Sequence, residues 1–132
     1  SPDGERIAFT SNRTGNDEIF VMHADGSGPA NLTSHAAADR EPAWSPDGAK
    51  LAFVSERSGK PELYVMNAGG GGVARLTHDG AEKSSPAWSP DGRKIVYAVV
   101  KGGDSEVFVI DAGGGDPINL TVHTADDRAP AW

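Results

Sequence analysis

Pro42-Ala43-Trp44-Ser45-Pro46-Asp47-Gly48 is the stretch on which the fold turns, because the chain repeats it. S-P-D-G stands at residues 1–4, 45–48 and 89–92, and P-A-W at residues 42–44, 86–88 and 130–132, a spacing of 44 without insertion. Other columns keep the same phase: Gly15, Gly59 and Gly103; Glu18, Glu62 and Glu106; Val21, Val65 and Val109; Leu32-Thr33, Leu76-Thr77 and Leu120-Thr121. Chance does not produce this, and the chain reads as one segment made of repeats 1–44, 45–88 and 89–132. A repeat of this length is a single supersecondary unit that buries its apolar faces by stacking on its neighbours.

Within the first repeat, R-I-A-F-T-S at residues 6–11 and E-I-F-V-M-H at residues 18–23 are short, apolar and aromatic, and they flank a turn bearing Gly and Asn. Both read as strands. Their apolar residues do not alternate cleanly with polar ones, so both faces of the sheet are expected to be covered. Residues 30–33 give a third, more polar strand, and P-A-W gives a fourth that leads into the next S-P-D-G. In that turn Pro presets φ, Asp tolerates the next position and Gly takes the left-handed one, so two strands can reverse tightly. Only residues 34–41, 77–85 and 122–129 are long enough for crossovers between sheets. No helix is required.

Composition narrows the functional classes. Among 132 residues there are 19 acidic and 12 basic side chains, a net charge of −7, and no cysteine. With no basic cluster to displace counterions, nucleic acid is excluded as a partner. Disulfides, thiolate metal sites and a cysteine nucleophile are excluded together. The apolar runs are far shorter than the roughly 20 residues that cross a bilayer as a helix, so no membrane insertion is expected, and no signal-peptide pattern opens the sequence.

Four antiparallel strands per 44 residues is the signature of all-β propeller blades, arranged radially so that each sheet packs on the next. The phrase from Pro42 to Asn67, P-A-W-S-P-D-G-x-K-L-A-F-V-S-x-R-S-G-x-x-x-L-Y-V-M-N, closely resembles the TolB-like propeller repeat, also found beside the catalytic domains of prolyl-oligopeptidase-type and tricorn-type peptidases. The resemblance covers the whole chain. It implies the fold more firmly than any activity, because one blade type serves many proteins. By resemblance alone, it suggests a periplasmic setting and a protein or peptide partner.

Three blades do not close a ring, since propellers use about four to eight. The first repeat lacks an innermost strand, while Pro130, Ala131 and Trp132 form an innermost strand without a sheet. The expected assembly is head-to-tail: residues 130–132 of one chain pair beside Ile7 and Phe9 of another. Two chains give the six blades that the resemblance implies; three would give nine, and the dimer is favoured. The even phasing equally suits a piece cut from a longer ring or an engineered array of repeats.

The candidate chemistry is sparse. Trp44, Trp88 and Trp132, and the aromatic columns at Phe9 and Phe20, recur in each repeat and read as packing between blades. Asp3, Asp47 and Asp91 recur ten positions before Arg13, Arg57 and Lys101, which suggests ion pairs bridging two hairpins of a blade. His35, Asp39, His123 and Asp127 lie in the long segments that the resemblance places near the channel mouth, where they are candidate ligands for a divalent cation. The middle repeat breaks that set with Asp79 and Lys83. No cofactor motif is present: residues 69–72 are Gly-rich but lack the Lys-Ser/Thr ending of a phosphate loop, and neither G-x-S-x-G nor H-E-x-x-H occurs. The sequence therefore points to a non-catalytic scaffold or protein-binding module. The alternative is the propeller of a peptidase or of a metal-dependent lyase.

Overall fold

The computed structural model describes residues 1–132, entirely strands and turns. The first blade holds β1 (Arg6–Ser11), β2 (Glu18–His23) and β3 (Ala30–Asn31). The second holds β4 (Asp39–Trp44), β5 (Lys50–Ser55), β6 (Glu62–Asn67) and β7 (Ala74–Arg75). The third holds β8 (Glu82–Trp88), β9 (Lys94–Lys101), β10 (Asp104–Asp111) and β11 (Ile118–Asn119). Each sheet is an antiparallel meander, with orders β1-β2-β3, β4-β5-β6-β7 and β8-β9-β10-β11. The expected architecture is present, with four strands in two blades and three in the first. The innermost strand begins earlier than P-A-W alone suggested, at Asp39 and at Glu82.

The S-P-D-G turns close as their chemistry requires. Gly48 N donates to Ser45 O at 2.9 Å, and Gly48 sits at φ 69°, a region that side chains with a Cβ rarely occupy. The Asp47 carboxylate accepts from the Ser45 hydroxyl at 2.6 Å and from Ala49 N at 3.0 Å, which fixes the turn from inside. Both innermost strands carry a bulge, between Arg40 and Ala43 and between Ser84 and Ala87, with Glu41 and Ser85 at φ 54° and 53°. A bulge bends the strand where it passes Pro.

The core lies between blades. Ile19 and Val21 of the first blade meet Leu51, Phe53, Tyr64 and Met66 of the second. Ala52, Leu63, Val65 and Leu76 on the opposite face of the second blade meet Ile95, Tyr97, Val99 and Ile110 of the third. Alternate residues of β5 thus enter different cores, and the period-2 geometry of a strand covered on both sides explains its unbroken apolar run. The aromatic columns are cross-strand pairs in nearly the same geometry: Phe9 with Phe20 and Phe53 with Tyr64 at 5.9 Å, Tyr97 with Phe108 at 6.2 Å. At that separation tilted rings add to what area burial supplies.

Candidate functional site

The charged and buried polar side chains that sequence singles out lie on the innermost strands, in the turns and in the segments that lead into them. In the second blade, Asp39 begins β4 fully buried, and its Oδ2 accepts from Arg57 Nη2 at 2.8 Å. Arg57 is held by Ser55 Oγ at 2.9 Å and lies over the rings of Phe53 and Tyr64. This corrects the expected pairing of Asp47 with Arg57. The turn aspartates are spent locally: Asp3, Asp47 and Asp91 each accept from the serine two residues earlier, at 2.5, 2.6 and 2.6 Å. Those serine hydroxyls, followed by a backbone N–H, hold all three carboxyls below the usual aspartate range. Arg57 reaches instead to the carboxylate that opens its own blade.

In the third blade the equivalent of Asp39 is Lys83, whose side chain is wholly buried. Its ammonium lies 3.1 Å from Glu62 Oε2 in the neighbouring blade, donates to Ala81 O at 2.7 Å and pairs with Asp79. Glu62, also wholly buried, accepts from Arg75 Nη2 at 2.9 Å, from Gly80 N at 2.8 Å and from the Thr77 hydroxyl. Burial would raise the Glu62 carboxyl, but the Thr77 hydroxyl, the Gly80 N–H and Lys83 outweigh it, and the group is held below its ordinary value. Burial pulls the Lys83 ammonium down against the support of Glu62. The same burial, with Glu62 second, pushes the Tyr97 phenol up. The cluster pairs its buried charges across the junction of the second and third blades.

The proposed cation ligands do not share one site within the chain. His35 is exposed, with its Nδ1 accepting from Ala37 N and its N–H donating to Glu18. Asp39 is committed to Arg57. His123 and Asp127 come together, Nε2 to Oδ2 at 3.2 Å, but no group of three His, Asp or Glu that could hold a metal ion is assembled. An open cleft of about 250 Å³ is lined by Leu76, Thr77, His78, Asp79, Asp116 and Pro117.

Of the expected assembly residues, Ile7 and Phe9 lie on β1. β1 pairs only with β2, so its other edge is free, and Ile7 is 41% exposed while Phe9 is half-buried. Residues 130–132 belong to no strand, and Trp132 is 57% exposed. Trp88, by contrast, is seated between blades and donates from Nε1 to Ala43 O at 3.0 Å.

The family model described as TolB beta propeller domain matches residues 1–86. The chain belongs to the TolB β-propeller family. A Tol-Pal system protein TolB of Anaeromyxobacter dehalogenans is 52% identical over 44 residues, 33% of this chain and 10% of that protein. The solved structure of a TolB from Agrobacterium tumefaciens superposes with a TM-score of 0.85 at 27% identity, covering 92% of this chain and 47% of that one. TolB from Acinetobacter baumannii gives 0.81 at 32% identity, covering 97% of this chain and 32% of that one. The chain therefore spans less than half the length of these relatives. No helix is long and apolar enough to cross a membrane.

Sequence reasoning missed the Glu62 and Lys83 pair, although its signal was present. Lys83 and Asp79 both depart from the repeat in one linker, where the other repeats carry Asp39 with His35 and Asp127 with His123.

Proposed function

We propose that the chain is a non-catalytic propeller module that closes head-to-tail as a homodimer into a six-bladed ring and serves as a protein- or peptide-binding scaffold. The observation that carries this is the unpaired inner edge of β1, the edge at which β5 and β9 of the other two blades hold an innermost strand. An open apolar edge of this kind is what folded proteins cover. The repeat-equivalent carboxylates, Asp3, Asp47 and Asp91 each taken by a Ser hydroxyl and Glu18 and Glu62 each by a Thr hydroxyl, support a structural role over catalysis. Similarity to proteins named as Tol-Pal system components supports a protein partner.

Static light scattering of the full chain tests the assembly. The expected mass is twice 13.7 kDa at micromolar concentration. A folded monomer refutes the ring, and three times that mass replaces six blades with nine.

A further inference from the structure

The junction of the first and second blades holds an opening that the repeat chemistry does not fill. It measures about 190 Å³ and is walled by Val21, Ala30 and Leu32 of the first blade and Ala68 of the second, with Arg6 and His23 also lining it. The walls belong to the repeat, since Val65, Ala74, Leu76 and Ala112 stand at the equivalent positions of the next junction. There Ala112 packs on the core that contains Leu76. At the first junction the core takes in Leu32 but not Ala68, and an apolar space stays between them.

The charge at this opening is not spent within the chain. Arg6, Lys50 and Lys94 are repeat-equivalent cations, paired across the ladder with His23, Asn67 and Asp111. In the third blade that pairing is an ion pair, Lys94 Nζ to Asp111 Oδ1 at 2.8 Å. In the first blade His23 replaces the acid, and its ring lies close enough to Gly28 that a Cβ there would stand 3.2 Å from it. Outside the ladder Arg6 bonds only through its backbone, to Ser1, and it enters no ion pair. Its guanidinium stands 4.7 Å over the Trp44 ring, which directs it toward the second blade. The aspartates of the adjoining turns are committed locally, Asp3 to the Ser1 hydroxyl and Glu5 N–H, Asp25 to the Ser27 N–H, and Glu5 is exposed.

An apolar opening beside an uncommitted guanidinium selects a ligand that carries an aliphatic group and an anion close together. Resting on the binding-module part of the reading above, we propose that this opening receives the C-terminal leucine of a partner polypeptide, its side chain between Leu32 and Ala68 and its α-carboxylate on Arg6. A terminal residue meets both demands because its carboxylate and its side chain leave the same Cα. Volume sets the length: a cavity of about 150 Å³ admits a benzene ring, so the space here suits one leucine-sized group and not a long acyl chain. The guanidinium offers parallel N–H donors that match a carboxylate bidentately. Both walls lie within one chain, so the site does not depend on closure of a ring.

NMR titration of the full isotope-labelled chain with the peptide N-acetyl-Ala-Ala-Leu tests this. The free acid should bind saturably with a dissociation constant of about 1 mM, shifting the amides of His23, Leu32 and Ala68. The C-terminal amide of the same peptide should bind at least about tenfold more weakly, as should the free acid to Arg6→Gln. Ala68→Leu fills the opening with Arg6 left in place and should weaken binding by a similar factor, a second variant that guards against misfolding of the first. No saturable shift at about ten times the expected constant overturns the site, and acid and amide binding alike overturns the role of Arg6 and the proposal with it. Hexanoate binding as tightly as the peptide overturns the polypeptide assignment in favour of a free aliphatic acid. Light scattering separates the two readings: a monomer that binds the peptide refutes the ring alone, and a dimer that does not bind it refutes this site alone.

Discussion

Truncating Glu62 to Ala removes the carboxylate that faces the buried Lys83 ammonium while leaving that ammonium in place. Both side chains are wholly buried, so solvent cannot enter to replace the lost charge without opening the junction of the second and third blades. Breaking a buried pair from one side costs about 3–5 kcal/mol, and the lower end applies because the half-exposed Asp79 still pairs with Lys83. Against a total stability of about 5–15 kcal/mol, this lowers the melting temperature by about 10–20 °C. Lys83→Met is milder, about 1–2 kcal/mol, because Glu62 keeps Arg75, Gly80 N and the Thr77 hydroxyl. The decisive variant is the double. With the ammonium gone no uncompensated charge stays buried, and E62A/K83M should be more stable than E62A by about 1–3 kcal/mol. Urea unfolding at one fixed protein concentration measures all four proteins. A double variant as unstable as E62A, or less stable, refutes the cost assigned to the orphaned ammonium.

Other perturbations read other parts of the fold. Because Glu62 is held below its ordinary 4.5, its contribution to stability is fully present above that pH and is lost as the pH falls through the lower native value; Glu62→Gln should flatten the acid limb of stability against pH. Phe53→Ala empties a fully buried site and should cost about 3–5 kcal/mol by thermal or urea unfolding. The repeat-equivalent Phe9→Ala should cost clearly less, since Phe9 is only half-buried. Gly70→Ala combines φ +90° with a Cβ 2.7 Å from the Leu32 carbonyl oxygen and should cost about 2 kcal/mol or more, whereas Gly59→Ala, at the same φ with open space, should cost about 1 kcal/mol.

Period and turn chemistry made the blades legible, because a 44-residue phase with S-P-D-G at each hairpin admits few architectures. The aromatic columns were legible for the same reason: a ring recurring once per blade on a covered strand has one use, and the three pairs share nearly the same geometry. Spacing failed where local and long-range partners compete for one group. Asp47 stands ten residues before Arg57, yet a serine hydroxyl two residues away and a backbone N–H reach its carboxylate first. Asp39 has no such local donor and is buried at the start of β4, so the guanidinium goes there. Sequence distance does not rank these competitors; which groups lose water does.

The same reasoning explains why the repeat is broken where it is. Position 39 and position 57 of the second blade form an acid–base pair, but their equivalents in the third blade are two cations, Lys83 and Lys101. Lys101 is left exposed, and Lys83 turns to carboxylates outside its own sheet, Glu62 of the neighbouring blade and Asp79 in the linker. A lysine at this buried position is tolerable only with an acid supplied nearby, and Asp79, standing where the other repeats have His35 and His123, supplies one. At the third occurrence of this position the acid is kept, as Asp127, and its Oδ2 lies 3.2 Å from His123 Nε2.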